Sequence, residues 1–343
     1  MIPKELGKPL TLPCQTSRIR FSPEGVLFAC AHDGSVLRWD VSGKEPKALP
    51  AVRLHDGWTT DVLFHPTKPL AITSDSYGAL VAWDRTAEKP TALWKQPKAH
   101  DGWLRRAVVH DGAVVTVGRD GFIRVWNLED GKPLRECALG VDIFSIAVAP
   151  GGKSLAVGDL FGTIHEIDWS TLKPMRKIEV KELHLLDRIQ DVGGVRVLAF
   201  KPDGKSLFAA GSQPKSGGFV QGFPLVVELD LSTGKRLSQW KGATDNEGFI
   251  HDLLWIGSGV LAEVTSGQPG QGKLFVWKPG DAKPSFESAK MPNCHSLALH
   301  PNGKLLAHSG TNANSSGNGK VKGKDGDYPA NTSPIQLWEL PKS

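Results

Sequence analysis

Only four cysteines occur in the 343 residues, Cys14, Cys30, Cys137 and Cys294. None forms a C-x-x-C pair, so the spacing of a zinc site is lacking. Buried, unpaired thiols in a reducing compartment are the expectation. No stretch approaches the ~20 apolar residues that cross a bilayer. Met1 to Cys14 holds no apolar run long enough for a signal peptide. Charge of one sign is scarce as well. A net charge of +5 spread over this length is a mild bias, not the footprint of a dedicated nucleic-acid binder. The phosphate loop G-x-x-x-x-G-K-[ST] and the zinc-protease H-E-x-x-H do not occur. The nucleophile elbow G-x-S-x-G is also lacking, since Gly257-Ser258-Gly259 has no spacer on either side of the serine. These exclusions predict a soluble cytoplasmic protein with no cofactor, no bound metal and neither membrane nor nucleic acid as partner.

Glycine and proline, by contrast, are abundant at 38 and 24 residues, as many short strands with tight turns require. They punctuate one recurring phrase. Ser17-Arg18-Ile19-Arg20-Phe21 alternates polar and apolar, the period of a strand with one buried face. Ser22-Pro23-Glu24-Gly25 turns, Val26 to Cys30 runs apolar, His32-Asp33-Gly34 turns again, and Val36 to Asp40 ends on Trp39-Asp40. Later copies end at Trp83-Asp84, Trp126-Asn127, Ile167-Asp168, Leu229-Asp230, Trp277 and Trp338, which makes seven. Pro-Gly turns recur in the same place, for example Pro202-Asp203-Gly204-Lys205. The copies are spaced by 44, 43, 41, 62, 48 and 61 residues. Four strands with their turns take about 40–45 residues, so the longer intervals carry insertions. An all-β, seven-bladed β-propeller of four-stranded antiparallel blades is expected, one domain over residues 1–343.

These residues resemble the WD-repeat (WD40) family over almost the whole chain, most closely in copies one to three. The resemblance implies a ring closed by an N-terminal strand. Residues about 8–14, with Pro9-Leu10-Thr11-Leu12-Pro13 at their centre, are the expected closing strand, completing a last blade over about 293–340. It also implies a buried network of a histidine before the first strand, a Ser or Thr in the second, an Asp in the turn, and the Trp. Copy three has all four, His100, Thr116, Asp120 and Trp126. Copy one lacks the upstream histidine, and copy two has Tyr77 where the Asp belongs, so one complete network is expected.

The family further implies a non-catalytic scaffold that mediates protein–protein or peptide binding through one face, as a monomer or as a subunit of a larger complex. The competing reading is a propeller enzyme, hydrolase- or lactonase-like, with an axial metal. Its candidates would be first-strand residues such as Asp61, His251, Asp252 and His295. His-Asp-Gly occurs four times, but always in a predicted turn, where backbone geometry alone favours it. His55-Asp56-Gly57-Trp58 and His100-Asp101-Gly102-Trp103 occupy the same place in successive copies. Each tryptophan there is either a plug between blades or a surface aromatic that anchors a partner.

The extra residues share an address. Ser212 to Pro224, Ser266 to Gly272 and Ser309 to Pro334 all separate second from third strands, and Glu182 to Gly194 precedes copy five. In a propeller all of these emerge on one face, and long loops in compact domains commonly bind something. The basic run Lys320-Val321-Lys322-Gly323-Lys324 lies within them but has no interleaved aromatics, and reads as a solvated loop. Trp58, Trp103, Arg105, Arg119, Arg196, Phe219, Gln268 and Tyr328 are the candidate partner-binding residues of this face.

Overall fold

A computed structural model describes residues 1–215, 221–257, 259–268, 270–281, 283–312 and 331–341. Phe219, Tyr328 and the basic run 320–324 therefore lie outside the described residues. The strands form seven four-stranded antiparallel sheets plus one two-stranded hairpin. Blade 1 runs Thr16–Phe21, Leu27–Ala31, Ser35–Asp40, Lys47–Arg53. Blades 2 to 6 repeat that meander with first strands Thr59–Phe64, Leu104–His110, Ile143–Val148, Val197–Phe200 and Phe249–Gly257. The only helical turn among the described residues is the 3-10 turn Lys181–Leu183.

Blade 7 is assembled from both ends of the chain: Ser296–Leu299, Leu305–Ser309, Ile335–Glu339, then Lys4–Leu10 outermost. Lys4 faces Glu339, Glu5 faces Trp338 and Leu6 faces Leu337. Gln336 Nε2 donates to the Leu6 carbonyl at 3.0 Å. The closing strand thus sits several residues earlier than Pro9–Pro13. The alternation of Leu10 and Leu12 suggests a strand, but Leu12 has another task. It is 1% exposed and packs with Ile19, Leu27 and Trp39 of blade 1 and Ile335 and Leu337 of blade 7. It fills the seam where the ring meets itself.

Packing between blades follows from the strand period. One face of each sheet meets the next blade's opposite face, so the core is a set of interblade layers. Trp83 is wholly buried beside Phe28 of blade 1, and Phe28 stands edge-on to Phe64 at 4.9 Å. The tight turns lock the same seams. Gly78 has φ +86°, and a Cβ there would stand 2.1 Å from the His100 carbonyl oxygen of the next blade's entry loop. Gly34 meets the His55 carbonyl in the same way at 2.6 Å. Glycine in these turns therefore answers both a left-handed backbone and a close interblade approach.

Two of the inserted segments are structured where described. Ser206–Pro214 and Gly222–Asp230 remain paired out to Pro214 opposite Gly222, so the described part of this insertion lengthens the two strands. Residues 182–194 include the hairpin His184–Asp187 with Gln190–Gly193, whose turn exposes Ile189 almost completely.

Candidate functional site

Seven first strands converge on the axis, and their entry loops line a cavity of about 600 Å³ on the face that carries the insertions. Its wall is an arc of rings and guanidinium groups. His32 of blade 1 stacks on Trp58, with centroids 4.4 Å apart and planes 3° apart. Trp58 stands edge-on to Trp103 at 5.8 Å. Arg105 reaches over Trp103 at 5.6 Å and over Phe144 at 4.5 Å. Arg196 covers Phe144 at 3.8 Å and Phe249 at 5.1 Å. Phe249 then meets His251 at 6.2 Å. The arc joins blades 1 to 6, and guanidinium–ring contacts hold its arginines in place.

Beneath it lies a ring of buried charge. Arg20 grips Asp61 with two bonds of 2.8 and 3.0 Å. Arg18 reaches Asp252 of blade 6 at 3.2 Å and approaches Asp61 of blade 2 at 3.8 Å. Burial pushes the Asp61 carboxyl up, but Arg20 and Arg18 outweigh it and hold it below the usual carboxylate range. Asp252 also accepts the Leu297 N–H at 2.9 Å. Arg106 has no such carboxylate partner among the described residues. Burial and then the neighbouring Arg18 push it down to about 9. Arg196 is pushed down to about 10 by burial and then by Arg105. Arg105 itself pairs with Asp142 at 2.7 Å. The histidines of the cavity are held neutral. Burial followed by the charge of His295 takes His32 down to about 4 and His251 to about 3.

Of the candidate face residues, Trp58, Trp103, Arg105 and Arg196 come together in this arc. Trp58 is 45% exposed, so it is a surface aromatic rather than a plug. Arg119 and Gln268 do not line the cavity; Arg119 is exposed and its N–H is tied to the Trp103 carbonyl. Phe144, Phe249 and Arg106 escape sequence reasoning, because only ring geometry brings residues of separate first strands to a common axis, and His32 joins them from the turn between the second and third strands of blade 1. His251 and His295 do face the cavity, whereas Asp61 and Asp252 lie under it, each already engaged by arginine. Among the described residues, no group of three or more His, Cys, Asp or Glu is placed to hold a metal ion.

The buried network exists in blade 3. His100 bonds Asp120 and Thr116 at 2.8 Å each, and Trp126 Nε1 donates to Thr116 at 2.9 Å. Blade 2 corrects the expectation of a single copy. There His55 bonds Asp75 at 2.9 Å and Thr73 at 2.8 Å, and Trp83 Nε1 reaches Thr73 at 3.3 Å. Asp75 stands at the end of the second strand, two residues before Tyr77, and its carboxylate still reaches the imidazole.

Seven four-stranded blades and the closing strand make this chain a seven-bladed β-propeller, and the Trp-ending repeat and these His–Thr–Trp networks are consistent with the WD-repeat family. It is similar to cilia- and flagella-associated protein 43 of Xenopus laevis, 27% identical over 172 residues, which cover 48% of this chain and 10% of that protein. It is also similar to Protein FIZZY-RELATED 1 of Arabidopsis thaliana, 28% identical over 204 residues, covering 58% of this chain and 37% of the relative. Both are WD-repeat proteins. The chain matches far less than two thirds of either relative's length. No protein-family model matches the chain. No helix among the described residues is long and apolar enough to cross a membrane.

Proposed function

We propose that this propeller is a non-catalytic scaffold that binds a protein or peptide partner on the face bearing the axial cavity. The carrying observation is the arc itself. A half-exposed tryptophan, a second tryptophan and arginines set against aromatic rings are the side chains enriched at interface hot spots, here around one concavity. WD-repeat propellers in general bind protein partners, which supports the same reading. The four cysteines are unpaired, which suits a reducing, cytoplasmic setting.

The test uses tagged wild-type protein, a Trp58→Ala/Trp103→Ala double variant, and Leu134→Ala on an outer strand as control. Each is purified from the native organism and its co-purifying proteins are quantified. Loss of the same partners from the double variant alone supports the reading. An unchanged partner set in a folded double variant refutes it.

A further inference from the structure

Among the described residues, every ionisable side chain that lines the axial cavity is basic. Arg105, Arg106, Arg196, His32, His251 and His295 face it, and no described aspartate or glutamate does. The nearby carboxylates are occupied elsewhere. Asp61 and Asp252 hold Arg20 and Arg18 below the floor, and Asp142 holds Arg105. Arg196 Nε donates to the Gly193 carbonyl at 2.8 Å, and Arg106 donates to the Arg105 carbonyl at 3.1 Å. Neither forms an ion pair with a carboxylate among the described residues, so most of each five-donor fork stays available.

A cationic guest would be turned away. Its natural seat would be the face of Phe144, but Arg105 and Arg196 already take that ring at 4.5 and 3.8 Å. A neutral guest would leave two guanidinium groups in a recess with no carboxylate in direct contact, only Asp61, Asp252 and Asp142 at longer range, which is costly. An oxyanion satisfies both, because its geometry matches the guanidinium fork. A cavity of about 600 Å³ admits a side chain and its flanking backbone, not a folded domain. Trp58 and Trp103 at the rim supply flat apolar walls for whatever stem carries the charge.

We propose that the axial cavity is a receptor for one oxyanion, a carboxylate or a phosphate monoester, carried on a partner's extended segment, with Arg106 and Arg196 as its ligands. This rests on the face being the partner surface. It adds the chemistry that would be read there.

The test is calorimetric titration of the full chain at fixed ionic strength with benzoate, phenyl phosphate, benzamide as neutral isostere and benzylamine as cation. Benzoate or phenyl phosphate should bind saturably and roughly tenfold or more tighter than benzamide. Arg196→Gln and Arg106→Gln should each weaken that binding by a similar factor, while Arg119→Gln, away from the cavity, should not. Preference for phenyl phosphate assigns a phosphorylated source, and preference for benzoate assigns an acidic side chain or a chain terminus. The proposal falls if neither anion saturates, if benzamide or benzylamine binds as well, or if both arginine variants fold and bind unchanged. Should either variant fail to fold, the comparison of benzoate with benzamide on wild-type protein decides alone. Such a failure would leave partner binding through Trp58 and Trp103 intact, since the co-purification experiment does not depend on any anion.

Discussion

The imidazole of His32 lies flat on the indole of Trp58, 4.4 Å between centroids, across the boundary of blades 1 and 2. Burial, and after it the charge of His295, lower His32 to about 4, so the pair is two neutral rings at physiological pH. Protonated imidazole quenches a stacked indole. Trp58 fluorescence, taken as the difference between wild type and Trp58→Phe, should therefore fall with a midpoint near pH 4. A midpoint near 6.5 would show the ring to be ordinarily solvated.

His32 is not alone, since burial also lowers His251 and His308 to about 3. A histidine whose folded value lies below its unfolded one binds fewer protons when folded. Its stabilising contribution is present above the unfolded value of 6.5 and is lost as pH falls towards 3. Each such group adds up to about 1.4 kcal/mol of stability loss per pH unit in that window. Urea unfolding at pH 7, 6, 5 and 4 should show a progressive fall, and His308→Gln should flatten it. A curve that is level down to pH 4 would contradict the burial assigned to these rings.

Thr116 accepts from Trp126 and bonds His100, so its hydroxyl joins the sheet to the entry loop. Thr116→Val keeps the volume and strands both partners in the core. Leaving buried polar groups unsatisfied costs about 1–3 kcal/mol each, and a loss of at least ~2 kcal/mol in chemical unfolding is expected. Thr73→Val in blade 2 should cost a comparable amount. If blade 2 proves indifferent, its network is not equivalent to that of blade 3.

Gly78→Ala meets two obstacles, a left-handed backbone and the His100 carbonyl. Strain of about 1–3 kcal/mol follows from the backbone alone. The collision adds to it, so thermal unfolding should drop well below that of Gly280→Ala, where φ is also positive but the space is open. Equal melting temperatures would mean that the seam opens without cost.

Glu263 is fully buried in the second strand of blade 6; neither carboxylate oxygen meets hydrogen-bond geometry with a partner among the described residues, and the neighbouring Trp277 indole only partly offsets the burial. Burial pushes it up to about 8. The sign is opposite to that of the histidines. Its contribution is whole below the unfolded value of 4.5 and is lost as pH rises to about 8. Glu263→Gln should therefore gain on wild type by up to about 1.4 kcal/mol per pH unit between pH 5 and 8. A difference that stays constant across that range would place an ionised partner beside the carboxyl.

Blade number and strand order were legible because Trp39, Trp83 and Trp126 recur at one spacing with glycine turns between them. Local pattern was less informative where another residue could do the same work. Asp75 replaces an aspartate sought two positions later, because a carboxylate at the strand end still reaches His55. The closing strand was misplaced since Leu12 looks like a strand residue and is a plug. The cavity was half visible. Trp58 and Trp103 announce themselves through a repeated tetrapeptide, and Arg105 and Arg196 follow from the same face. Arg106 and Phe144 carry no local sign, because their roles arise only when separate strands are brought around one axis.

The clasp between Lys4–Leu10 and Ile335–Glu339 has a consequence for biosynthesis. Its two halves lie 330 residues apart along the chain, as Leu6 and Gln336 show, so one leaves the ribosome long before its mate. At ~5–20 residues per second the early strand waits on the order of tens of seconds as an unpaired edge. Throughout that wait it is open to mispairing with neighbouring nascent chains, and the seam filled by Leu12 stays wet. Translation speed and chaperone supply should thus govern the yield of intact rings more than the stability of any one blade does.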